Sequence, residues 1–201
     1  MQKVLSGLKE GIVFIVSAPA GTGKTTLVRM LCQEFPCVVE SISFTTRKPR
    51  PNEVQDKDYH FVDKAEFKKR IADDDFLEYA TVFDEYYGTS REVIEKQRAS
   101  GKHVVLVIDT QGALQLIDKM DAVFIFISPP SLEELHKRLS KRRSESSEAI
   151  EKRLSWAQKE MATADRYDYQ IVNDNLEIAY QVLRSIFIAE EHRSRHRKDL
   201  N

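Results

Sequence analysis

Lys24 and Thr25 close the run Ala18-Pro19-Ala20-Gly21-Thr22-Gly23-Lys24-Thr25, with Thr26 directly after it. Residue types in that order suit the holding of a polyphosphate. Successive backbone N–H groups of such a loop converge on phosphate oxygens, the lysine reaches the β and γ phosphates, and the threonine hydroxyl ligates Mg2+. Gly21 and Gly23 permit the tight curvature. Ala18 stands where the G-x-x-x-x-G-K-[ST] pattern has its first glycine, one small residue for another. A second pair of side chains could hold a second phosphate. Arg47 and Arg50 stand three residues apart in Ser43-Phe44-Thr45-Thr46-Arg47-Lys48-Pro49-Arg50-Pro51. Two guanidinium forks stiffened by prolines can clamp a phosphate bidentately, although such a run by itself reads equally as a solvated basic loop.

These groups need a frame. Five consecutive apolar residues, 12–16, lead straight into the phosphate loop, and Leu27, Val28, Leu31 and Phe35 mark a helical face after it. The positive end of that helix would point at the bound phosphates. Residues 104–108 and 122–127 are apolar runs without alternation, as expected of strands buried on both faces of a parallel sheet, and Gln170-Ile171-Val172 is a shorter candidate. Helical patterns fall at roughly 110–119, 131–140, 148–163 and 175–190. Strand and helix therefore alternate, which predicts an α/β fold with a parallel sheet core flanked by helices. Residues 38–90 break the rhythm and read as an inserted, partly β lobe. Residues 141–147, Lys-Arg-Arg-Ser-Glu-Ser-Ser, have no apolar anchor and read as a basic lid. The expected layout is one domain over 1–201, with core segments 1–37, 91–137 and 155–201, the lobe at about 38–90 and the lid at about 138–154.

Composition limits the alternatives. A chain of 201 residues, 41% hydrophobic, can bury a sizeable core, and 31 basic against 32 acidic residues leave a formal charge of -1. Such a balance gives no overall attraction to nucleic acid or to an anionic membrane, so neither is expected as a partner. Lys3 and Lys9 before residues 12–16, then Ala18-Pro19-Ala20, loosely imitate a secretory signal. The apolar stretch is too short and the supposed cleavage site falls in the phosphate loop, so a cytoplasmic protein is expected. Cys32 and Cys37 read as unpaired thiols. His192 and His196 lack the glutamate of a metalloprotease helix and read as a solvated helix end. Asp73-Asp74-Asp75 reads as a turn after a helix. Monomer and homodimer both stay open.

Further segments complete a pattern: Phe76-Leu77-Glu78-Tyr79, Tyr86-Tyr87-Gly88-Thr89-Ser90, Leu106-Val107-Ile108-Asp109-Thr110-Gln111-Gly112 and Ile171-Val172-Asn173. With the phosphate loop and the T-T-R-x-P-R segment, these resemble the guanylate kinase family of P-loop nucleoside monophosphate kinases in order and spacing, from residue 12 to residue 173. The resemblance implies transfer of the γ-phosphoryl of ATP to GMP, and dGMP, giving ADP and GDP, with Mg2+ accompanying ATP. It assigns Arg47, Arg50, Tyr59 and Tyr87 to the GMP phosphate, and Ser43, Glu78, Thr89 and Asp109 to the guanine. It gives Lys24, Arg138, Arg142 and Arg153 to the transferring phosphates, Asn173 to the adenine or lid contacts, and Thr25 to the metal. The chemistry of guanine agrees. Its N1–H and exocyclic amine are donors that carboxylates accept, and its O6 is an acceptor that a hydroxyl serves; adenine reverses the polarity at N1 and at the 6-position. Taken alone, Glu78 and Tyr79 could be surface residues of a hairpin, and Ser43 could merely cap a turn.

The chain departs from the family in places. Members commonly carry L-D-I-D-x-Q-G, and Val107 stands at the first aspartate. On a strand, Val107 and Asp109 project to the same side, so the missing carboxylate would have faced the cleft of Asp109. Weaker Mg2+ dependence is the expectation. Lys141-Arg142-Arg143 replaces a frequent G-R-G, Asp56 stands where glycine is usual before Lys57, and Ala20 replaces a serine. None of these removes an assigned side chain. Two rival readings are a non-catalytic interaction module of the same family and a kinase for a sugar phosphate. Intact Gly23-Lys24-Thr25 with Arg142 argues against the first, and Glu78 with Ser43 and Asp109 against the second.

Overall fold

The protein is described by a computed structural model covering residues 4–5, 8–82, 84–141 and 147–194. In chain order its first half contains β1 (Val13–Ser17), α1 (Lys24–Glu34), β2 (Val38–Ser41), β3 (Phe44–Thr45), β4 (His60–Phe61), α2 (Lys64–Ala72), β5 (Phe76–Val82) and β6 (Glu85–Ser90). The second half contains α3 (Arg91–Ala99), β7 (His103–Val107), α4 (Thr110–Leu116), β8 (Val123–Ser128), α5 (Leu132–Lys141), α6 (Ser147–Met161), β9 (Tyr169–Val172) and α7 (Leu176–Glu191).

Every residue of β1 is buried, because the strand runs up the middle of a parallel sheet ordered β2-β7-β1-β8-β9. Side chains on a strand alternate between faces, so β1 needs apolar residues throughout. Phe14 and Val16 pack with Leu27, Val28 and Leu31 of α1 and with Leu183 and Phe187 of α7. The opposite face, Val13 and Ile15, meets Ile94 of α3 and Ala113 and Leu116 of α4. Phe14 and Phe187 stack with centroids 3.6 Å apart. These strands lift the phosphate loop, the end of β7 and the end of β9 to one edge of the sheet, where open α/β sheets bind ligands.

The lobe is a second sheet ordered β4-β3-β6-β5, closed underneath by Phe44, Phe67 and Phe76. Gly88 of β6 lies against that cluster; a Cβ there would come 3.0 Å from Phe67 and 3.1 Å from Phe76.

Several expectations need adjusting. β2 pairs with β7, so residues 38–41 belong to the core sheet and not to the inserted lobe. The helix expected over 110–119 ends at Leu116, since Ile117 is extended and Asp118 has φ 65. α3 was not among the expected helices; its one buried residue, Ile94, leaves too thin an apolar stripe to read. Helix occupies 138–141 and 147–154 of the expected lid, and 142–146 lie outside the described residues. Asp73 does follow α2, whose C-cap it forms. Cys32 and Cys37 form no disulfide, and burial pushes the Cys32 thiol up to about 11. Among the described residues no helix is long and apolar enough to cross a membrane.

Candidate active site

The loop after β1 is shaped by two left-handed glycines, Gly21 (φ 94) and Gly23 (φ 92), the second preceding α1 directly. The Thr22 hydroxyl donates to the Pro19 carbonyl at 2.8 Å, and Leu135 and Leu139 of α5 press on Gly21. Asn173, just beyond β9, locks the loop. Its Nδ2 donates to the Thr22 carbonyl at 2.6 Å, and a Cβ on Gly23 would come 2.6 Å from that same nitrogen. The side chain expected at the adenine or the lid is thus bonded to the loop itself. Arg138 donates from Nη1 to the Asn173 carbonyl at 2.9 Å and from Nε to Glu134 at 3.2 Å, which ties it to the residue that holds the loop. Lys24 donates to the Ile108 carbonyl at 2.9 Å. Burial lowers the lysine's pKa, and Glu160, Asp109 and Glu40 oppose that shift. Thr25 and Thr26 are exposed on the first turn of α1, which holds no acidic residue.

Across the cleft, the alternation of β5 decides between Glu78 and Tyr79: the glutamate is 4% exposed, the tyrosine 44%. Glu78 pairs across the sheet with Thr89 of β6, whose hydroxyl donates to Glu78 Oε1 at 2.6 Å. Oε2 lies against Gly112, where a Cβ would stand 2.3 Å away. Burial raises the Glu78 carboxyl to about 7; the Thr89 hydroxyl acts the other way, and the charge of Asp109 adds to the rise. Asp109 does not lie on β7. It caps α4, Oδ1 accepting from Gly112 N at 2.8 Å, which leaves Oδ2 with one long contact from Gln111 at 3.3 Å.

Arg47 is more committed than its sequence suggested. Its Nη1 and Nη2 donate to the two oxygens of Glu53, each at 2.9 Å, Nη1 also to the Lys48 carbonyl at 2.8 Å, and Nε to the Tyr87 hydroxyl at 3.1 Å. The guanidinium lies 5.3 Å from the Tyr59 ring centroid. Of five N–H donors one remains, so Glu53 fixes the plane of Arg47 and the fork is not open for bidentate work. Arg50 is 62% exposed at its side chain, with Nη1 3.8 Å from Glu53.

A cavity of about 210 Å³ lies between these halves. Ala18, Ala20 and Lys24 line it from the loop, and Ser43, Tyr59, Glu78 and Tyr87 from the lobe. Val107 and Asp109 line it from the sheet edge, and Arg153, Trp156 and Glu160 from α6. An adjoining groove shares Ser43, Tyr59 and Val107 with it and carries Thr25, Glu40 and Arg50. Thr89 and Arg47 are not among the lining residues; Thr89 bonds Glu78, and Arg47 bonds the Tyr87 hydroxyl. Arg142 lies outside the described residues. Sequence reasoning missed Glu53, Trp156 and Glu160. For the last two the signal was helical spacing: 153, 156 and 160 share one face. Burial raises Glu160 to about 7 against the pull of Lys24, and Thr110 donates to it at 3.2 Å.

A phosphate loop at the edge of a parallel sheet, facing a carboxylate-lined pocket shared with a second sheet, defines the class: a P-loop protein of α/β fold. Residues 11–190 match the family described as guanylate kinase. The guanylate kinase of Protochlamydia amoebophila (strain UWE25) is 63% identical over 185 residues, covering 92% of this chain and 94% of that protein. That of Chlamydia felis (strain Fe/C-56) is 54% identical over 183 residues, 90% of each. The crystal structure of guanylate kinase from Anaplasma phagocytophilum superposes with a TM-score of 0.78 at 33% identity, covering 95% of this chain and 92% of that one. The chain belongs to the guanylate kinase family.

Proposed function

We propose that the chain transfers the γ-phosphoryl of ATP to the phosphate of GMP, and of dGMP, giving ADP and GDP. The observation that carries this reading is one cavity walled both by the phosphate-loop lysine, Lys24, and by the buried Glu78, which Thr89 holds in place. Membership of the guanylate kinase family supports it.

In this reading the triphosphate lies over the loop N–H groups and the N-terminus of α1. Residues 18–26 bind ATP, and Asn173 and Arg138 position the loop. The acceptor phosphate meets Arg50, the hydroxyls of Tyr59 and Tyr87, and the remaining N–H of Arg47. Glu78 and Asp109 accept from the guanine N1–H and amine, with Ser43 beside them. Buried polar groups left unpaired by AMP can discriminate by factors up to roughly 10^4. The attacking group is already a phosphate oxygen, so positioning and charge carry the chemistry and no strong base is needed. Lys24 follows the phosphoryl in transit, and Arg153 faces the same space. An arginine so placed contributes roughly 10^3-fold in related transfers. Arg142 is proposed for the same task.

The donor set suits Mg2+: an exposed Thr25 hydroxyl and a half-buried Glu40 share one groove, and among the described residues no group of three or more acidic, His or Cys side chains forms a cage. Mg2+ favours sites of that kind, completed by substrate phosphates and water. Thr25 would hold the ion, which when bound neutralises charge on the β and γ oxygens. Val107 lines both spaces but brings no carboxylate. Val107→Asp should therefore lower the Mg2+ concentration for half-maximal rate; an identical Mg2+ response in the two proteins would sink that assignment.

The reading as a whole is tested by ADP release with ATP, Mg2+ and, in turn, GMP, dGMP, AMP, UMP and ribose 5-phosphate. Turnover confined to the guanine nucleotides is expected, and turnover confined to any other acceptor overturns it.

A further inference from the structure

Helix α6 sends three side chains into the cavity, Arg153, Trp156 and Glu160. Their spacing puts them on one helix face, and that face is not the one that anchors the helix. Anchoring falls to Ile150, Leu154 and Ala157, which pack on Leu135 and Leu139 of α5. Trp156, the only tryptophan of the chain, is half-buried and lines the cavity, with the Lys159 amine 6.0 Å from its ring centroid.

On the lobe side, Glu78, Ala80 and Val82 follow one another at two-residue spacing on β5 and so share a strand face. All three line the same cavity. The carboxylate that would read the edge of a base is thus continuous with two small apolar side chains that cannot hydrogen-bond. A planar base with its edge on Glu78 needs apolar partners for its faces; beside the rings of Tyr59 and Tyr87, whose hydroxyls serve the acceptor phosphate, the wall offers Ala80 and Val82 from the lobe, Val107 and Ile108 from the sheet edge and the indole of Trp156 from α6.

We infer that Trp156 is a base-contacting residue of the acceptor pocket, its indole packing on the guanine that Glu78 selects. The inference rests on the proposed acceptor being a guanine nucleotide. It adds a consequence: one helix face carries both the indole that meets the acceptor base and, three residues earlier, the Arg153 guanidinium that faces the phosphates. Filling the base pocket therefore biases the placement of Arg153.

The test uses the full chain without ATP. GMP is titrated while tryptophan emission and, in parallel, calorimetric heat are followed. A saturable emission change is expected, with the midpoint of the calorimetric curve. Ribose 5-phosphate, which has the phosphate and lacks the base, should leave the emission unchanged even where it binds. Base–aromatic contacts lose roughly tenfold or more on truncation to alanine. Trp156→Ala should accordingly raise the GMP dissociation constant and KM by about that factor with a smaller fall in kcat, and Trp156→Phe should restore most of the affinity. GMP binding by calorimetry with unmoved emission overturns the inference, as does an equal emission response to ribose 5-phosphate. Wild-type GMP affinity in a folded Trp156→Ala protein overturns it as well. Calorimetry that shows no GMP binding at all overturns the functional reading itself, and so separates the two failures.

Discussion

Glu78 is a carboxylate that the fold makes expensive to ionise and that a guanine would need ionised. Its burial raises the carboxyl to about 7, and Thr89 already occupies one oxygen. Below that pH a protonated Glu78 offers fewer acceptor sites to the base. GMP affinity should thus fall as pH drops through about 7, approaching tenfold per unit at the limit. Calorimetry across that range checks it, and a Glu78→Gln protein, bound more weakly at high pH, should lack the step. The linkage to stability has the opposite sign. A carboxyl whose folded pKa exceeds its unfolded value costs stability as pH rises past the unfolded value, in full above about 7. Glu78→Gln should therefore gain in Tm at pH 8 and not at pH 4. Gly112 is the second residue to test. A methyl there would lie 2.3 Å from Glu78 Oε2, so Gly112→Ala must push the carboxylate out of place. Its expected signature is a rise in GMP KM of tenfold or so with ATP KM unchanged, since buried acceptors that lose their geometry cost about 1–3 kcal/mol; steady-state kinetics with each substrate varied would show it.

The elements explain what could be read beforehand and what could not. β1 and α1 were legible because their apolar pattern is long and local, and the loop between them has fixed chemistry. Arg47 was legible as an arginine and not as a committed one: its fork is held by Glu53, six residues on, across a turn whose shape no periodicity reveals. Asp109 looked like a strand residue and is a helix cap, because β7 stops at Val107. Trp156 and Glu160 share a helix face with Arg153 by spacing, but the α6 pattern advertises the apolar stripe facing α5 and does not say what the adjoining face meets. Asn173 shows the same limit from another direction. Its partner Thr22 is 151 residues away in sequence, and the β1–β8 and β8–β9 pairings together bring the two side by side. Asn173→Ala would leave the Thr22 carbonyl without that donor in a buried place, at a cost of about 1–3 kcal/mol. We expect a five- to tenfold rise or more in ATP KM with little change in GMP KM. Equal effects on both substrates would mean that Asn173 stabilises the whole sheet edge and not the loop.

At the scale of the molecule, the parallel core and the lobe sheet are separate hydrogen-bonded units, joined by Leu77 of β5, which packs on the core cluster, and by polar contacts. Gln115 of α4 donates to the Tyr79 carbonyl of β5 at 2.7 Å, and the exposed Arg29 of α1 meets Asp58 at 2.8 Å. An exposed ion pair of this sort contributes at most about 1 kcal/mol, so a ligand that touches both units would add materially to their union. A guanine nucleotide touching Glu78 in the lobe, Asp109 on the core and Trp156 on α6 would join all three. ATP alone, seated on the loop and α1, would join fewer. Ligand present at a hundred times its dissociation constant adds about 2.7 kcal/mol, which for a chain of this length corresponds to a rise in Tm of roughly 5–10 °C. GMP should therefore raise Tm by that amount and slow amide exchange in β5, β6 and α6 together. AMP at the same concentration should do neither, and ATP should protect the start of α1 while leaving β5 and β6 as they were. Exchange slowed by GMP in the lobe alone would show that the acceptor does not reach across the cleft, and the cavity would then serve two independent ligands without bringing them to one reaction.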